Sequence, residues 1–460
     1  MTDYDVVVIG AGIAGGAVAW RLARTGLRVA LLEKGSDVAN GATRANSGIL
    51  HSGIHEEPDS DVYRMCREGL KWYRNWADRL DFPLVNKATV ILADSTESLD
   101  KISHLQQLHR SNLAPHLLAP AELGIRWPFL TDKIAGALEV VDSAQISPYE
   151  ACRAIVENAI ANGLEFITDC DINGVEKHGN TWQLQTSNGC IKSGIVVIAA
   201  GAGSNGLSKK FGLPLSEQKM LSGAYFMMNK AAKPITDAIF FGPPGPETKG
   251  VLMQNTVYGN LMLGPDSIDA RKLEDDQFNW QRICNLWQEC QKLIPELDRK
   301  DIIRTFTGER VCVGKGFQLE NHLDSHGIVR LDGIKSPGLT AAPAIADKVL
   351  QMLGKYLDVN EKAGLIEKRL SPANAATNQP TGQIVCRCEQ VFARQIHEAI
   401  RRGASNIESL RWQTRAGMGD CQGSFCRPTL IKTLQSELKK ETGEICLKNK
   451  NSPMFTGDLK

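Results

Sequence analysis

The sequence predicts an α/β protein: a Rossmann-like dinucleotide-binding domain opens the chain, and a small helical domain held by cysteines stands near its C-terminus. Three observations point there. Residues 5–33 run strand, glycine-rich turn, helix, strand and acid in that order. "VVIAAGAGS", Val196–Ser204, is a further apolar strand that ends in small residues. Four cysteines, Cys386, Cys388, Cys421 and Cys426, bracket a late stretch that holds two short amphipathic segments.

The opening element reads "YDVVVIGAGIAGGAVAWRLARTGLRVALLEKG". Asp5 to Ile9 is a short valine-rich run, suited to a buried parallel strand. Gly10, Gly12 and Gly15 follow in the G-x-G-x-x-G spacing, Ala17 to Thr25 reads as a helix stopped at Gly26, and Arg28 to Leu32 is a second strand ending on Glu33. Gly10 permits the tight turn, Gly12 lets the backbone approach a pyrophosphate, and Gly15 lets the helix lie close to the strand. The pyrophosphate then sits on the amide-rich, positive end of that helix. Glu33, 18 residues after Gly15, is placed to accept hydrogen bonds from a ribose. Glycine-rich turns are common, but this ordered set of elements reads as a dinucleotide site. It leaves FAD and NAD both open. Its place at the start of the chain suits a flavoprotein, and the small residues Ala200 and Gly201 let another loop approach the same ligand.

Composition sets the bounds. The chain has 460 residues, 42% hydrophobic and 23% charged, the balance of a globular protein. At about 100–200 residues each, two to four domains are expected. A net charge of +1 supplies no global field for nucleic acid or an anionic membrane. "MTDYDVVVIG" has no basic n-region or cleavage site, so no signal peptide is expected. No apolar run reaches the ~18 residues of a membrane helix. The expectation is a cytoplasmic chain, free to associate with the inner face of the cell membrane. Reduced thiols are then the default for the 12 cysteines. Cys66, Cys152, Cys170, Cys190, Cys284, Cys290, Cys312 and Cys446 are scattered and read as packing thiols.

"GATRANSGILHSGIH", Gly41 to His55, contains Asn46, Ser47, Gly48, His51 and Gly53. This run resembles the segment along the flavin in FAD-dependent oxidoreductases of the D-amino-acid-oxidase type. The likeness is to the branch that holds the large subunits of anaerobic glycerol-3-phosphate dehydrogenases and the L-2-hydroxyglutarate dehydrogenases. It extends over nearly the whole chain. "VVDSAQISPYEACRAIVENAIANG" resembles the family's return from the substrate domain. "TVYGNLMLGPD" resembles its substrate-sheet strands, and "GERV" contains Arg310. "GIKSPGLTAAPAIADKV" resembles the closing flavin-binding loop.

The resemblance implies a Rossmann-like FAD-binding domain over residues 1–84, 146–215 and 319–367, with an inserted α+β substrate domain over 85–145 and 216–318. It implies FAD contacts from Gly10, Gly12, Ile13, Ala14, Gly15, Glu33, Lys34 and Thr43. Further contacts are implied from Asn46, Ser47, Gly48, Ile172, Ala200, Gly201, Gly338, Leu339 and Thr340. His51 or His55 is the implied base, and which of the two is left open. Arg310 matches the arginine that holds a substrate's carboxylate or phosphate, work that suits its planar fork. His55 and Glu56 depart from the family pattern, which carries tyrosine or another bulky residue there. That departure leaves the substrate open.

A linker is expected at 368–382, where "KRLSPANAATNQPTG" lacks apolar periodicity. Beyond it "IVCRCEQ" and "TRAGMGDCQGSFCRP" place the four late cysteines as C-x-C and C-x4-C. The domain expected at 383–435, of about fifty residues, is marginal for a hydrophobic core, so a metal staple would help it fold. A tail is expected at 436–460. Zinc and iron–sulfur both accept four thiolates. Zinc sites favour C-x2–4-C spacings, and Gly417, Gly419 and Gly423 would expose amides to cluster sulfurs. The pattern resembles the bacterioferritin-associated-ferredoxin-like [2Fe-2S] domain.

Together these predict a dehydrogenase of a small anionic secondary alcohol. Glycerol 3-phosphate is favoured, ahead of a 2-hydroxy acid such as 2-hydroxyglutarate and an amine or opine. Hydride would pass to FAD and electrons would leave through a [2Fe-2S] cluster to partner subunits of a hetero-oligomer or a quinone chain. A non-catalytic electron-transfer module is the rival, disfavoured by the length given to a substrate-type domain.

Overall fold

The computed structural model describes residues 2–234, 236–245, 250–270, 280–369, 382–449 and 451–455. At its centre is an eight-stranded sheet. Tyr4–Ile9 lies in the middle, parallel to Gly189–Ile198 on one side and to Val29–Leu32 on the other. Ile328–Asp332 and Glu165–Ile167 extend it outward on either side. The opening strand is buried on both faces, which explains its unbroken valine run. Val6 and Val8 meet the helices Ile13–Ala23, Pro148–Ala161 and Gly338–Leu353, while Val7 and Ile9 pack against Ile172, Trp182 and Phe211. The helix starts at Ile13 rather than at the expected Ala17. Its small residues Ala14, Gly15 and Gly16 are helical because close packing on the strand outweighs glycine's low propensity.

A second sheet of ten strands forms the inserted domain. Its strands alternate their side chains between two cores. Phe226, Phe240 and Met253 face the helix Trp280–Leu293. Tyr225, Phe241, Leu252 and Met262 face the nucleotide domain and cluster with Ile49, Ile54 and Tyr63. The short strand Ile49–Leu50 pairs with Gly136–Ile146 of this sheet, so the loop between the opening strands and the helix Asp61–Leu80 already belongs to both domains.

The C-terminal domain has three helices, Ala393–Arg401, Ile407–Thr414 and Arg427–Leu438, and a two-stranded ribbon at Ile384–Cys386 and Val391–Phe392. Gly403, at φ +96°, makes the break between the first two helices. Ile396, Leu410, Leu430 and Leu434 form its core. The residues expected as a tail complete that core: Ile445 is fully buried, and Met454 and Phe455 pack on it. The expected linker lies outside the described residues except at 368, 369 and 382. Among the scattered cysteines Cys66, Cys152, Cys170 and Cys290 are buried, but Cys190 is exposed and Cys284, Cys312 and Cys446 are half-buried. Packing does not account for the exposed one.

Candidate active site and cluster site

The three glycines of the opening turn are there for different reasons. Gly10 has φ +107°, and a Cβ would stand 2.5 Å from the Ala199 carbonyl oxygen. At Gly15 a Cβ would stand 1.9 Å from the Gly10 oxygen. Both are required by the protein's own packing. At Gly12 a Cβ would meet only Thr43 Oγ1, at 3.3 Å. Glycine there leaves open space at a helix N-terminus, the condition a pyrophosphate needs. Ile13 donates its amide to Thr43 Oγ1 at 3.0 Å, which ties the helix start to the loop of residues 41–48, and Ala14 follows in the first turn. Glu33 is buried; it accepts from the amides of Ala11 at 2.9 Å and Gly35 at 2.8 Å. Those bonds fix a carboxylate that keeps lone pairs for a ribose. Lys34 beside it is exposed. Ala200 and Gly201 lie across the turn, with the Ala200 Cα 3.1 Å from a Cβ at Gly10. Ile172 is buried in the same half of the core.

Residues 43–48 form a self-braced loop. Asn46 accepts from the Gly48 amide and donates to the carbonyls of Ala42 and Thr43. Gly48, at φ +73°, would place a Cβ 2.4 Å from the Ile146 oxygen. The Ser47 carbonyl accepts from Gln254 Nε2 at 2.6 Å. Gln254 is fully buried in the inserted sheet, and among the described residues its Oε1 has no hydrogen-bond partner. Sequence reasoning missed it, because nothing local marks a strand glutamine as the brace of a loop 207 residues away.

Gly338, Leu339 and Thr340 begin the helix Gly338–Leu353. First-turn amides have no intrahelical acceptor, so this is a second positive helix end near the loop. Thr340 is buried, and its Oγ1 accepts from the His51 amide at 2.9 Å. His51 Nε2 lies 3.2 Å from Ser336 Oγ. Tyr73 donates to the Leu339 carbonyl at 3.0 Å. The rings of His51 and His55 stand 6.3 Å and 5.2 Å from that of Phe241, so both histidines border one aromatic wall.

Arg310 lies on the strand Ile302–Cys312 and donates to Ser267 Oγ at 3.2 Å. It shares a sheet face with Phe306 and Gly308, and Phe306 stacks on Tyr225 at 4.7 Å. Burial pushes the Tyr225 hydroxyl up to about 12, against the opposing pull of Arg310. Arg310 and Phe241 are separated by four strand steps, about 19 Å along the sheet at 4.7–4.9 Å each. The histidines and the arginine therefore border the same face without lying side by side. A Cβ on Gly308 would stand 1.9 Å from the Ala45 oxygen; that contact seats the arginine strand on the loop of residues 43–48.

The four late cysteines form two pairs. Cys388 and Cys421 lie near the surface with sulfurs 3.6 Å apart. Cys386 and Cys426 are buried neighbours. Among the described residues no three His, Cys, Asp or Glu side chains converge on one metal ion. Two thiolates on one tetrahedral metal at about 2.3 Å stand about 3.7 Å apart. The outer pair, at 3.6 Å, thus matches two ligands of one metal centre. Backbone amides serve the sulfurs: Gly417 donates to Cys386 Sγ at 3.5 Å, and the amides of Phe425, Gly423 and Ser424 hold the Cys421 thiol below its ordinary range. Burial, reinforced by Cys386, pushes the Cys426 thiol up.

The C-terminal domain docks beside the loop of residues 41–48. Arg44 lies 5.2 Å from the Trp412 ring and pairs with Glu408 at 3.7 Å. Arg415 stacks on Tyr258 at 3.5 Å, and Arg402 and Arg369 join Arg153 around Glu157.

Comparison with known proteins shows which family the fold belongs to. A family model described as FAD dependent oxidoreductase matches residues 5–352, and one described as BFD-like [2Fe-2S] binding domain matches residues 384–436. A glycerol 3-phosphate dehydrogenase of Caloramator mitchellensis is 30% identical and covers 99% of each chain. A relative from Escherichia coli (strain K12), named as one subunit of an anaerobic glycerol-3-phosphate dehydrogenase, is 23% identical over 92% of this chain and 86% of its own. The solved structure of dithionite-reduced L-alpha-glycerophosphate oxidase from Mycoplasma pneumoniae, with FAD bound, superposes with a TM-score of 0.74. It is 26% identical and covers 80% of this chain and 98% of its own.

Proposed function

Because the chain belongs to the FAD dependent oxidoreductase family and carries a BFD-like [2Fe-2S] binding domain, we propose that it is a glycerol 3-phosphate dehydrogenase. It takes a hydride and a proton from the secondary alcohol, and its electrons leave through the cluster to partner subunits or a quinone chain. The observation that carries the reading is a single juncture: Gly308 on the Ala45 carbonyl, which sets a guanidinium strand beside the loop that leads from Thr43, bonded to the Gly12 turn, toward His51.

FAD, when bound, accepts the hydride, and the [2Fe-2S] cluster supplies a one-electron outlet. The protein's own groups do the rest. Gly12, Thr43 and Glu33 seat the dinucleotide, and the amides of Leu339 and Thr340 favour negative charge on the ring. Arg310, whose side chain must reach across the sheet face toward the histidines, would hold the phosphate through its planar fork. His51 takes the hydroxyl proton; Ser336 at its Nε2 and Thr340 at its amide fix the imidazole. His55, edge-on to Phe241, closes the pocket and is the second candidate for the base. Phe241 and Tyr225 exclude water from the sheet face.

Relatives named as dehydrogenases support the substrate and the outlet. The oxidase structure matches 80% of this chain, whereas the Caloramator dehydrogenase matches 99% and so includes the cysteine domain. The Escherichia coli relative, itself one part of a larger enzyme by its name, supports a hetero-oligomer. No described helix is long and apolar enough to cross a membrane, so in this reading the chain meets the cytoplasmic face through partners. The test is anaerobic addition of glycerol 3-phosphate, 2-hydroxyglutarate and an opine to the yellow protein. Bleaching by glycerol 3-phosphate alone is expected. Bleaching by another compound reassigns the substrate, and none by any class favours a non-catalytic electron-transfer module.

A further inference from the structure

The buried sulfur pair faces a buried charge that the reaction does not use. Arg411, on the helix Ile407–Thr414, is 7% exposed. Its Nη1 lies 3.1 Å from Glu408 Oε1, and its Nη2 donates to the Gly417 carbonyl at 3.2 Å. The amide of that same Gly417 donates to Cys386 Sγ. A Cβ on Gly417 would lie 3.6 Å from Arg411 Nε and 3.7 Å from Cys426 Sγ. The guanidinium and both inner sulfurs therefore surround one glycine, whose φ of +81° favours that residue. Among the described residues Arg411 Nε is buried with no hydrogen-bond partner, an oddity for a guanidinium unless an acceptor belongs there. Arg304 and Arg427 add positive charge nearby.

Glu408 carries this network outward. It lies 3.7 Å from Arg44 and accepts from Trp412 Nε1 at 3.2 Å. Arg44 stands between Thr43 and Asn46 in the loop beside the dinucleotide turn. Arg44, Glu408, Arg411, Gly417 and Cys386 thus form an unbroken polar chain between the two cofactor regions. The outer pair, Cys388 and Cys421, lies off this chain and toward solvent.

We propose that Arg411 is a positioning residue for electron transfer: its guanidinium, held by Glu408 and Gly417, raises the reduction potential of the centre bound by the inner cysteines, so that electrons pass inward pair first and leave by the outer pair. This rests on the reading that the four cysteines hold a [2Fe-2S] cluster. A fixed positive charge stabilises the reduced, more negative cluster, and hydrogen bonds to sulfur act in the same direction.

The test is a mediated redox titration of the full-length protein, followed by EPR of the reduced cluster, without substrate. Arg411→Leu should lower the midpoint by at least a tenfold change in the one-electron equilibrium, about 59 mV. Arg411→Lys should lower it less. Glu408→Gln, which removes the counter-charge, should raise it. Opposite signs from the two partners of one ion pair are what a purely structural role does not produce. If Arg411→Leu does not retain iron, Arg411→Lys and Glu408→Gln still give the signs. Equal midpoints, or shifts of the same sign, with the cluster intact would overturn the proposal alone. Wild-type protein without a cluster signal would overturn the reading beneath it as well.

Discussion

Gly308 faces the carbonyl of Ala45 so closely that a Cβ would stand 1.9 Å from its oxygen. This contact joins the strand of Arg310 to the loop of Asn46 and His51, and so sets the distance between the proposed substrate clamp and the proposed dinucleotide site. Gly308→Ala must push strand and loop apart. Overpacking of this kind costs about 1–3 kcal/mol. The expected result is a preparation that loses flavin on dilution and has a raised KM for glycerol 3-phosphate, measured by flavin absorbance and steady-state kinetics. Gly206→Ala, at an open position, should leave both unchanged.

His51 is pinned at its amide by Thr340 and at its ring by Ser336, whereas His55 rests against Phe241. His51→Asn should lower kcat by about 10²–10⁴-fold, the range for a general base. His55→Asn should act mainly on KM. Single-turnover flavin reduction separates the two, because only loss of the base slows the bleaching step at saturating substrate.

Among the described residues Arg310 donates to Ser267, a single bond that leaves most of its fork for a ligand. Arg310 is half-buried, and a hydrogen bond to a charged group contributes about 1.5–3 kcal/mol. Arg310→Ala should therefore raise KM steeply, and glycerol, which lacks the phosphate, should be oxidised no worse by the variant than by the wild type. Equal loss for both compounds would place Arg310 outside the phosphate site.

Much of this was legible locally. The glycine turn, its acid and the C-x-C and C-x4-C cysteines announce themselves because each acts within a few residues. The helix start did not: Ala14 to Gly16 look like a turn until the strand they pack against is known. Gly308 and Gln254 escaped for a stronger reason. Each serves the loop of residues 41–48 from more than 200 residues away, and a glycine or glutamine in a strand carries no periodic signal of that. The residues expected as a tail were misleading because Ile445, Met454 and Phe455 are too sparse to show periodicity, yet they close a core that is small.

Glu157 fastens the C-terminal domain. Burial alone would push its carboxyl up, but Arg153, Arg369 and Arg402 hold it down at about 2. Its contribution is full above the ordinary 4.5 and is lost as pH falls through about 2. Glu157→Gln should reproduce that loss at neutral pH, at a cost of about 3–5 kcal/mol for breaking a buried pair. Hydrogen exchange in residues 396–413 at pH 7 should accelerate in the variant; unchanged exchange would mean that the docking rests on Trp412, Arg44 and Arg415 instead.

The most direct measurement is rapid-freeze EPR after anaerobic mixing of the protein with glycerol 3-phosphate, together with an iron count. Electron flow from flavin to cluster predicts two irons per chain and the signal of a reduced [2Fe-2S] cluster that grows as the flavin absorbance falls. Flavin that bleaches while the cluster stays oxidised, or a chain that holds a single metal ion, would contradict it.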